Sequence, residues 1–154
     1  MFHDALVPFA ERWIIIMNII SLLKSKNTVS YLFAENTLRQ GLEKMKAHGY
    51  TATPVITDEG DYVGCISEGD FLWYLSNNLE CDRKSLEHVF IRDIMRTDWN
   101  PAVSIDVSFE VLFDRIINQN FVPVVDDRNK FIGIITRRDI LCAFRDKYAG
   151  ETTI

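Results

Sequence analysis

The sequence predicts a mixed α+β fold of two tandem repeats, packed sheet to sheet about a pseudo-twofold axis and preceded by an N-terminal helix. Residues 53–72 (TPVITDEGDYVGCISEGDFL) align without a gap with residues 122–141 (VPVVDDRNKFIGIITRRDIL), at an offset of 69 positions. A unit of about sixty residues cannot bury its apolar sheet face alone, so two copies are expected to cover each other. We therefore expect four parts: an N-terminal helical segment at 1–26, a first repeat at 27–80, a connector at 81–98 and a second repeat at 99–148.

The N-terminal segment contains the most apolar stretch of the chain, residues 13–23 (WIIIMNIISLL). This stretch is too short to span a bilayer, and no small-residue cleavage site follows it. It predicts a helix that packs on the domain or on a second subunit, and it predicts no membrane association.

Each repeat is expected to follow the order strand, helix, strand, strand, helix. The first strands lie near residues 29–33 and 102–105. In the first repeat, Thr37 and Gln40 form a capping-box pattern, Leu38, Leu42 and Met45 form an apolar stripe, and Gly49 ends the helix. This pattern predicts a helix between the first two strands.

The equivalent helix of the second repeat is predicted at residues 108–119, with Phe109, Phe113 and Ile116 in its apolar stripe. Polar turns at residues 58–61 and 126–129 then separate the two remaining strands of each repeat. The connector is charged and helical in pattern, which predicts a segment that docks on a repeat.

Composition narrows the function classes. The 17 basic and 22 acidic side chains give a formal charge of -5, which argues against nucleic-acid binding. The three cysteines have no metal-ligand spacing, so we expect no metal site and reduced thiols in the cytoplasm. The sequence contains no phosphate-binding glycine-rich loop and no pattern that suggests a catalytic triad, so we expect no enzyme activity.

Both repeats contain the pattern Gly, apolar, any, Ser/Thr, any, any, Asp. It runs from Gly64 to Asp70 and again from Gly133 to Asp139. In each copy a strand ends at the hydroxyl residue and a helix begins, so the hydroxyl and backbone N–H groups favour phosphate, and the aspartate suits a ribose diol. The alternative is that Ser67 and Thr136 only cap helices while the aspartates favour the positive end of the helix dipole.

On this pattern, with a Pro-Val pair ten residues ahead of each copy, the chain resembles the CBS domain family over residues 28–144. The resemblance implies a tandem CBS pair, or Bateman module, without catalysis, cofactor or metal. It implies a homodimer that binds an adenine nucleotide between the repeats and signals to a protein effector in trans. Residues 49–52 together with 136–138 look more loosely like stand-alone bacterial CBS-pair proteins, some of which bind cyclic di-AMP.

The family pattern builds each cleft from both repeats. In the main cleft the resemblance implies the following ligand-binding residues: Val29, Ser30, Tyr50, Thr51, Ala52, Thr136, Arg137, Arg138 and Asp139. In a second, weaker cleft it implies Ser67, Asp70, Ala102, Val103, Phe121 and Val122. The main cleft is expected to dominate, because two arginines follow Thr136 whereas Glu68 and Gly69 follow Ser67.

Two questions stay open at this point. Asp139 suits the free ribose diol of AMP, ADP or ATP, whereas a cyclic dinucleotide has one ribose hydroxyl tied up, so the identity of the adenine nucleotide is undecided. The rival function is a structural or protein-interaction module with unoccupied clefts.

Overall fold

The computed structural model describes residues 19–80 and 82–151, and it confirms the mixed α+β fold of two repeats. The first repeat consists of β2 (Leu32–Phe33), α2 (Leu38–His48), β3 (Ala52–Ile56), β4 (Tyr62–Ser67) and α3 (Glu68–Asn77). The second consists of β5 (Val103–Ser104), α5 (Phe109–Asn118), β6 (Phe121–Val125), β7 (Phe131–Thr136) and α6 (Arg137–Glu151). Ahead of them lie α1 (Ile19–Leu22), β1 (Lys24–Ser25) and a 3-10 turn (Lys26–Thr28). The connector contains a 3-10 turn (Ser85–Glu87) and α4 (Ile91–Ile94).

Helix α2 forms where the capping residues predict it. The Thr37 side chain accepts the Gln40 N–H, the Gln40 side chain accepts the Thr37 N–H, and Gly49 ends the helix at a φ of 66°. Helix α5 begins after Ser108 and buries Phe109, Leu112 and Ile116. The prediction of Phe113 in this stripe is wrong, because Phe113 is 36% exposed while Leu112 is fully buried.

The two repeats form equivalent hairpins. β3 and β4 pair antiparallel from Ala52–Ser67 to Ile56–Tyr62, and β6 and β7 pair from Phe121–Thr136 to Val125–Phe131. The register shifts after Val55 and, 69 residues later, after Val124. The short strands β2 and β5 add in parallel to β3 and β6, so the two sheets share one plan.

The hairpins meet at their turns, near the pseudo-twofold axis. The Lys130 ammonium lies 2.7 Å from Oδ1 of Asp61, and the Phe131 N–H donates to the carbonyl of Gly60 at 2.9 Å. These contacts join the two sheets directly.

The repeats also exchange the segments that precede them. β1, which precedes the first repeat, pairs antiparallel with β7 of the second, with Lys24 opposite Ile134. Arg96, which precedes the second repeat, forms an isolated bridge with Cys65 of β4. The last strand of each repeat, β4 or β7, therefore pairs with the segment that leads into the other repeat.

Each hydrophobic core also contains side chains from the exchanged segment. Ile91 of the connector is fully buried in the core of the first repeat, a burial worth about 1.5–3 kcal/mol. Ile19, Leu22 and Leu23 pack against the core of the second repeat. The connector thus docks, although its predicted helical pattern is realised only in two short turns. Of the predicted N-terminal helix, residues 13–18 lie outside the described part of the chain.

Among the described residues no helix is long and apolar enough to cross a membrane.

Candidate functional site

The N-terminus of α6 collects the polar groups of the second signature. The Asp139 N–H donates to Oγ1 of Thr136 at 3.1 Å, and the Thr136 hydroxyl donates back to Oδ2 of Asp139. The Lys24 ammonium lies 3.0 Å from the same Oδ2. Oδ2 of Asp139 therefore takes contacts from both Thr136 and Lys24. Burial acts to raise the pKa of Asp139, but the hydrogen bonds from Thr136 and Lys24 outweigh burial and lower it.

The N-terminus of α3 has the equivalent arrangement with more contacts. Oδ2 of Asp70 accepts the Ser67 N–H at 2.7 Å and the Ser67 hydroxyl at 2.8 Å. Nε of Arg96 lies 3.0 Å from Oδ1 of Asp70 as an ion pair without well-aligned hydrogen-bond geometry, and Nη2 of Arg96 donates to Oγ of Ser67 at 3.2 Å. Both signatures therefore cap their helices and also hold a basic side chain from the exchanged segment.

The signature glycines explain how the exchanged segments come so close. A Cβ on Gly133 would lie 2.1 Å from the carbonyl oxygen of Lys24, and a Cβ on Gly64 would lie 2.5 Å from that of Arg96. Only a residue without a side chain fits at this crossing.

The two arginines after Thr136 differ in role. Nε of Arg137 donates to the carbonyls of Ile116 at 2.9 Å and Gln119 at 3.1 Å, and Nη2 donates to that of Ile117 at 3.2 Å. Arg137 thus caps the C-terminus of α5, where a cation is favoured. Arg138 is exposed and has no ion-pair partner within the described residues. Both arginines line a depression of about 490 Å³ with Asn120, Leu141, Cys142 and Arg145.

Three other residues implied for the main cleft lie together. Val29, Ser30 and Tyr50 line a separate depression of about 430 Å³, which also contains Lys26, Lys44 and His48. The Tyr50 ring is 42% exposed and stacks on His48 at 5.8 Å. Thr51 and Ala52 lie against their own repeat: the Thr51 carbonyl accepts the Glu68 N–H at 3.0 Å, and Ala52 pairs with Ser67.

Comparison with known proteins decides the family. The family model described as CBS domain matches residues 23–77 and 91–146. The chain belongs to the CBS domain family.

Three similar proteins show how this CBS pair compares with its relatives. An uncharacterised protein of Methanopyrus kandleri is 31% identical over 104 residues, which cover 64% of this chain and 48% of that protein. The cyclic di-AMP receptor B of Bacillus subtilis is 28% identical over 113 residues, which cover 73% of this chain and 76% of the receptor. The crystal structure of CbpB in complex with c-di-AMP superposes with a TM-score of 0.82 at 25% identity, covering 93% of both chains. The chain thus spans about half of the Methanopyrus protein but most of the other two.

In the second cleft, most of the residues that the resemblance implies are buried. Phe121, Val122 and Val103 are buried, and Val122 and Val103 belong to the core of the second CBS domain. Ala102 is half-buried. The structure therefore leaves Ser67, Asp70 and Ala102 as the more accessible members of this set.

Sequence reasoning missed Lys24, Arg96 and Trp99. The guanidinium carbon of Arg96 lies 3.7 Å from the ring centroid of Trp99, in a cation–π contact. The only signal in the sequence is a basic residue seven or eight positions ahead of each first strand, and its partner across the fold cannot be read from that spacing.

Desolvation raises the pKa of the buried Cys65 thiol to about 12, so the thiol is neutral and a poor nucleophile. No cluster of three or more metal-ligating side chains occurs in the described ranges 19–80 and 82–151.

Proposed function

We propose that this CBS pair is a non-catalytic regulatory module of the cytoplasm that binds an adenine nucleotide in its main cleft and signals to a protein partner in trans. One observation carries the proposal: Thr136, Asp139 and Arg138, which has no ion-pair partner within residues 19–80 and 82–151, lie together at the N-terminus of the 15-residue helix α6. At the equivalent positions α3 has Gly69 in place of the arginine and begins with the acidic Glu68. We therefore expect an anionic ligand to bind at the N-terminus of α6 rather than at that of α3.

Each part of a nucleotide has a matching group, at the N-terminus of α6 for phosphate and ribose and in the separate depression at Tyr50 for adenine. Phosphate oxygens suit the Arg138 guanidinium, which lies at the positive end of the α6 dipole. The ribose hydroxyls suit the carboxylate of Asp139, and they can replace Lys24 there when Lys24 moves to a phosphate. Adenine suits the exposed Tyr50 ring and the backbone at Thr51 and Ala52.

Two ligand classes fit this arrangement. The named ligand of the Bacillus receptor and of the CbpB complex is cyclic di-AMP, and both proteins align with most of this chain. Asp139 favours AMP, ADP or ATP, because these ligands present both ribose hydroxyls. The chain's paired motifs at 49–52 and 136–138 give cyclic di-AMP the preference.

Two variants distinguish the ligand classes. For cyclic di-AMP, Arg138→Ala is expected to cost about 1.5–3 kcal/mol of binding energy, the scale of a charged hydrogen bond, while Asp139→Ala costs less. For AMP or ATP, Asp139→Ala is expected to cost at least as much as Arg138→Ala. Isothermal titration calorimetry of both variants against both ligand classes measures the difference.

The controls are matched in chemistry. Arg128→Ala removes an arginine that is 78% exposed on its side chain and lies in the turn at the other end of β7, and Asp127→Ala removes an aspartate of the same turn that is 91% exposed. Both controls are expected to bind like the parent chain. If Arg138→Ala and Asp139→Ala also bind every nucleotide like the parent, the main cleft is misplaced.

We also propose that the module is a homodimer. Leu72 on α3 and Leu141 on α6 occupy equivalent positions and are 59% and 60% exposed, and Trp73 beside Leu72 is 65% exposed. Apolar surface of this kind on the outer helices suits a second copy of the chain.

The second candidate function, a protein-interaction module with unoccupied clefts, rests on the same apolar side chains. It predicts partner binding without any nucleotide-dependent shift in melting temperature.

A further inference from the structure

A side chain of the protein itself lies in the second cleft. The Arg96 guanidinium contacts Oδ1 of Asp70 at 3.0 Å and Oγ of Ser67 at 3.2 Å, and it stacks on Trp99 at 3.7 Å. A planar group stacked on a ring and bound to the signature hydroxyl and carboxylate makes the kinds of contact that a nucleotide would make there.

The backbone fixes this occupant in place. The Arg96 N–H donates to the Cys65 carbonyl at 3.0 Å, and the Cys65 N–H donates to the Arg96 carbonyl at 3.1 Å. Directly after Trp99, Asn100 is buried with a φ of 61°, and its carbonyl accepts the Tyr62 hydroxyl at 2.7 Å. The segment is anchored on both sides of the stacked pair.

In the main cleft, Lys24 takes the place that Arg96 has in the second cleft, but it makes weaker contacts. Lys24 occupies the equivalent backbone position and contacts Asp139, but its ammonium is a single point donor on a flexible stem. The two side chains are similarly exposed, 46% for Lys24 and 42% for Arg96, so the difference lies in their contacts. Within the described residues no aromatic ring stacks on Lys24. A ligand displaces such a group more readily than a stacked guanidinium.

We infer that Arg96 and Trp99 are a built-in occupant of the second cleft. The stacked pair fills this cleft and keeps nucleotide out of it. Both carboxylate oxygens of Asp70 have a partner, Oδ2 in Ser67 and Oδ1 in Arg96, and the Asp70 side chain is only 12% exposed, so a ribose has to displace Arg96 to reach it. Because Arg96 is part of the chain, its effective concentration at the site is on the order of millimolar or higher, and a free ligand has to compete with it. The expected stoichiometry of one nucleotide per chain rests on the proposed function of the main cleft.

The test compares the number of binding sites in three proteins. Calorimetry with AMP and with adenosine is applied to the parent chain, to the double variant Arg96→Ala/Trp99→Ala, and to Arg128→Ala, which removes an exposed arginine outside both clefts. Adenosine is included because it has no phosphate for Glu68 to repel. The double variant is expected to bind one more equivalent per chain than the parent, whereas Arg128→Ala leaves the number unchanged.

The outcomes separate this inference from the proposed function. If the parent binds nothing and the double variant binds one equivalent, the main cleft is misassigned but the built-in occupant is supported. If the double variant binds the same number as the parent, the occupant is refuted.

A second measurement uses the parent chain and does not depend on the folding of the variant. Saturation with AMP is expected to shift the amide NMR signals of Thr136 and Asp139 and to leave those of Ser67 and Asp70 in place. Equal shifts at both signatures would overturn the inference.

Discussion

Replacing Gly133 by alanine tests the crossing that brings Lys24 to Asp139. The new Cβ would lie 2.1 Å from the Lys24 carbonyl oxygen, whereas real Cβ contacts stay beyond 3.0 Å, so β1 must move by about 0.9 Å or more. Overpacking of this kind costs about 1–3 kcal/mol. At about 2–4 °C per kcal/mol for a chain of this size, we expect the melting temperature to fall by about 2–12 °C. The nucleotide affinity of the main cleft is expected to change as well, because Lys24 leaves Asp139.

Gly69→Ala is the matched control. Gly69 lies in the first turn of α3, and a Cβ there would meet Oγ of Ser67 at 3.5 Å and Nε1 of Trp73 at 3.7 Å, which are ordinary contacts. Alanine favours a helix over glycine by about 0.5–1 kcal/mol, so this variant is expected to melt at the same temperature or higher. Thermal unfolding followed by circular dichroism compares the two. If Gly133→Ala melts like Gly69→Ala, β1 does not cross β7 as described.

Three further predictions concern the thiols, pH and assembly. Burial raises the pKa of the Cys65 thiol to about 12, so iodoacetamide at pH 8 is expected to modify the half-buried Cys142 before Cys65. Equal modification rates of these two cysteines, measured by mass spectrometry, would contradict the burial of Cys65. The lowered pKa of Asp139 means that its contact with Lys24 stabilises the fold above the ordinary carboxyl value of 3.8 and is lost as the pH falls through the lower folded value. The melting-temperature gap between the parent and Lys24→Met is therefore expected to close as the pH falls below 3.8, and a constant gap would show that the pair is unimportant. Light scattering is expected to report a dimer that Leu72→Glu/Leu141→Glu weakens, and a monomeric parent at micromolar concentration would refute the assembly.

Local patterns were sufficient to predict most of the fold. The capping box at Thr37 and Gln40 predicts α2, and the gapless repeat predicts both hairpins, because turn chemistry, caps and alternation act between residues close in sequence. The error at Phe113 arises because Leu112 and Phe113 are neighbouring apolar residues, and only the packed core shows which of them faces inward.

The sequence did not predict that each repeat pairs with the segment that precedes the other repeat. β1 has only two residues, and Arg96 pairs through an isolated bridge, so neither has the length that produces a strand pattern. The sequence shows that glycine recurs at positions 64 and 133. Glycine is required there because another backbone segment crosses each position, and that segment lies more than thirty residues away in the sequence.

The two arginines after Thr136 show a similar limit. Arg137 and Arg138 are chemically identical neighbours, yet one caps α5 and the other is exposed. The direction in which each side chain leaves the helix decides the role, and that direction follows from the docking of α5 beside α6. For the proposed cleft, this leaves Arg138 as the phosphate-binding candidate of the pair.

A calorimetric titration of the parent chain with AMP, ADP, ATP, S-adenosylmethionine and cyclic di-AMP tests the central claim most directly. The account predicts saturable heat with at least one adenine nucleotide, at a stoichiometry of one site per chain. The absence of heat with all five ligands would contradict it, and so would two equal sites per chain.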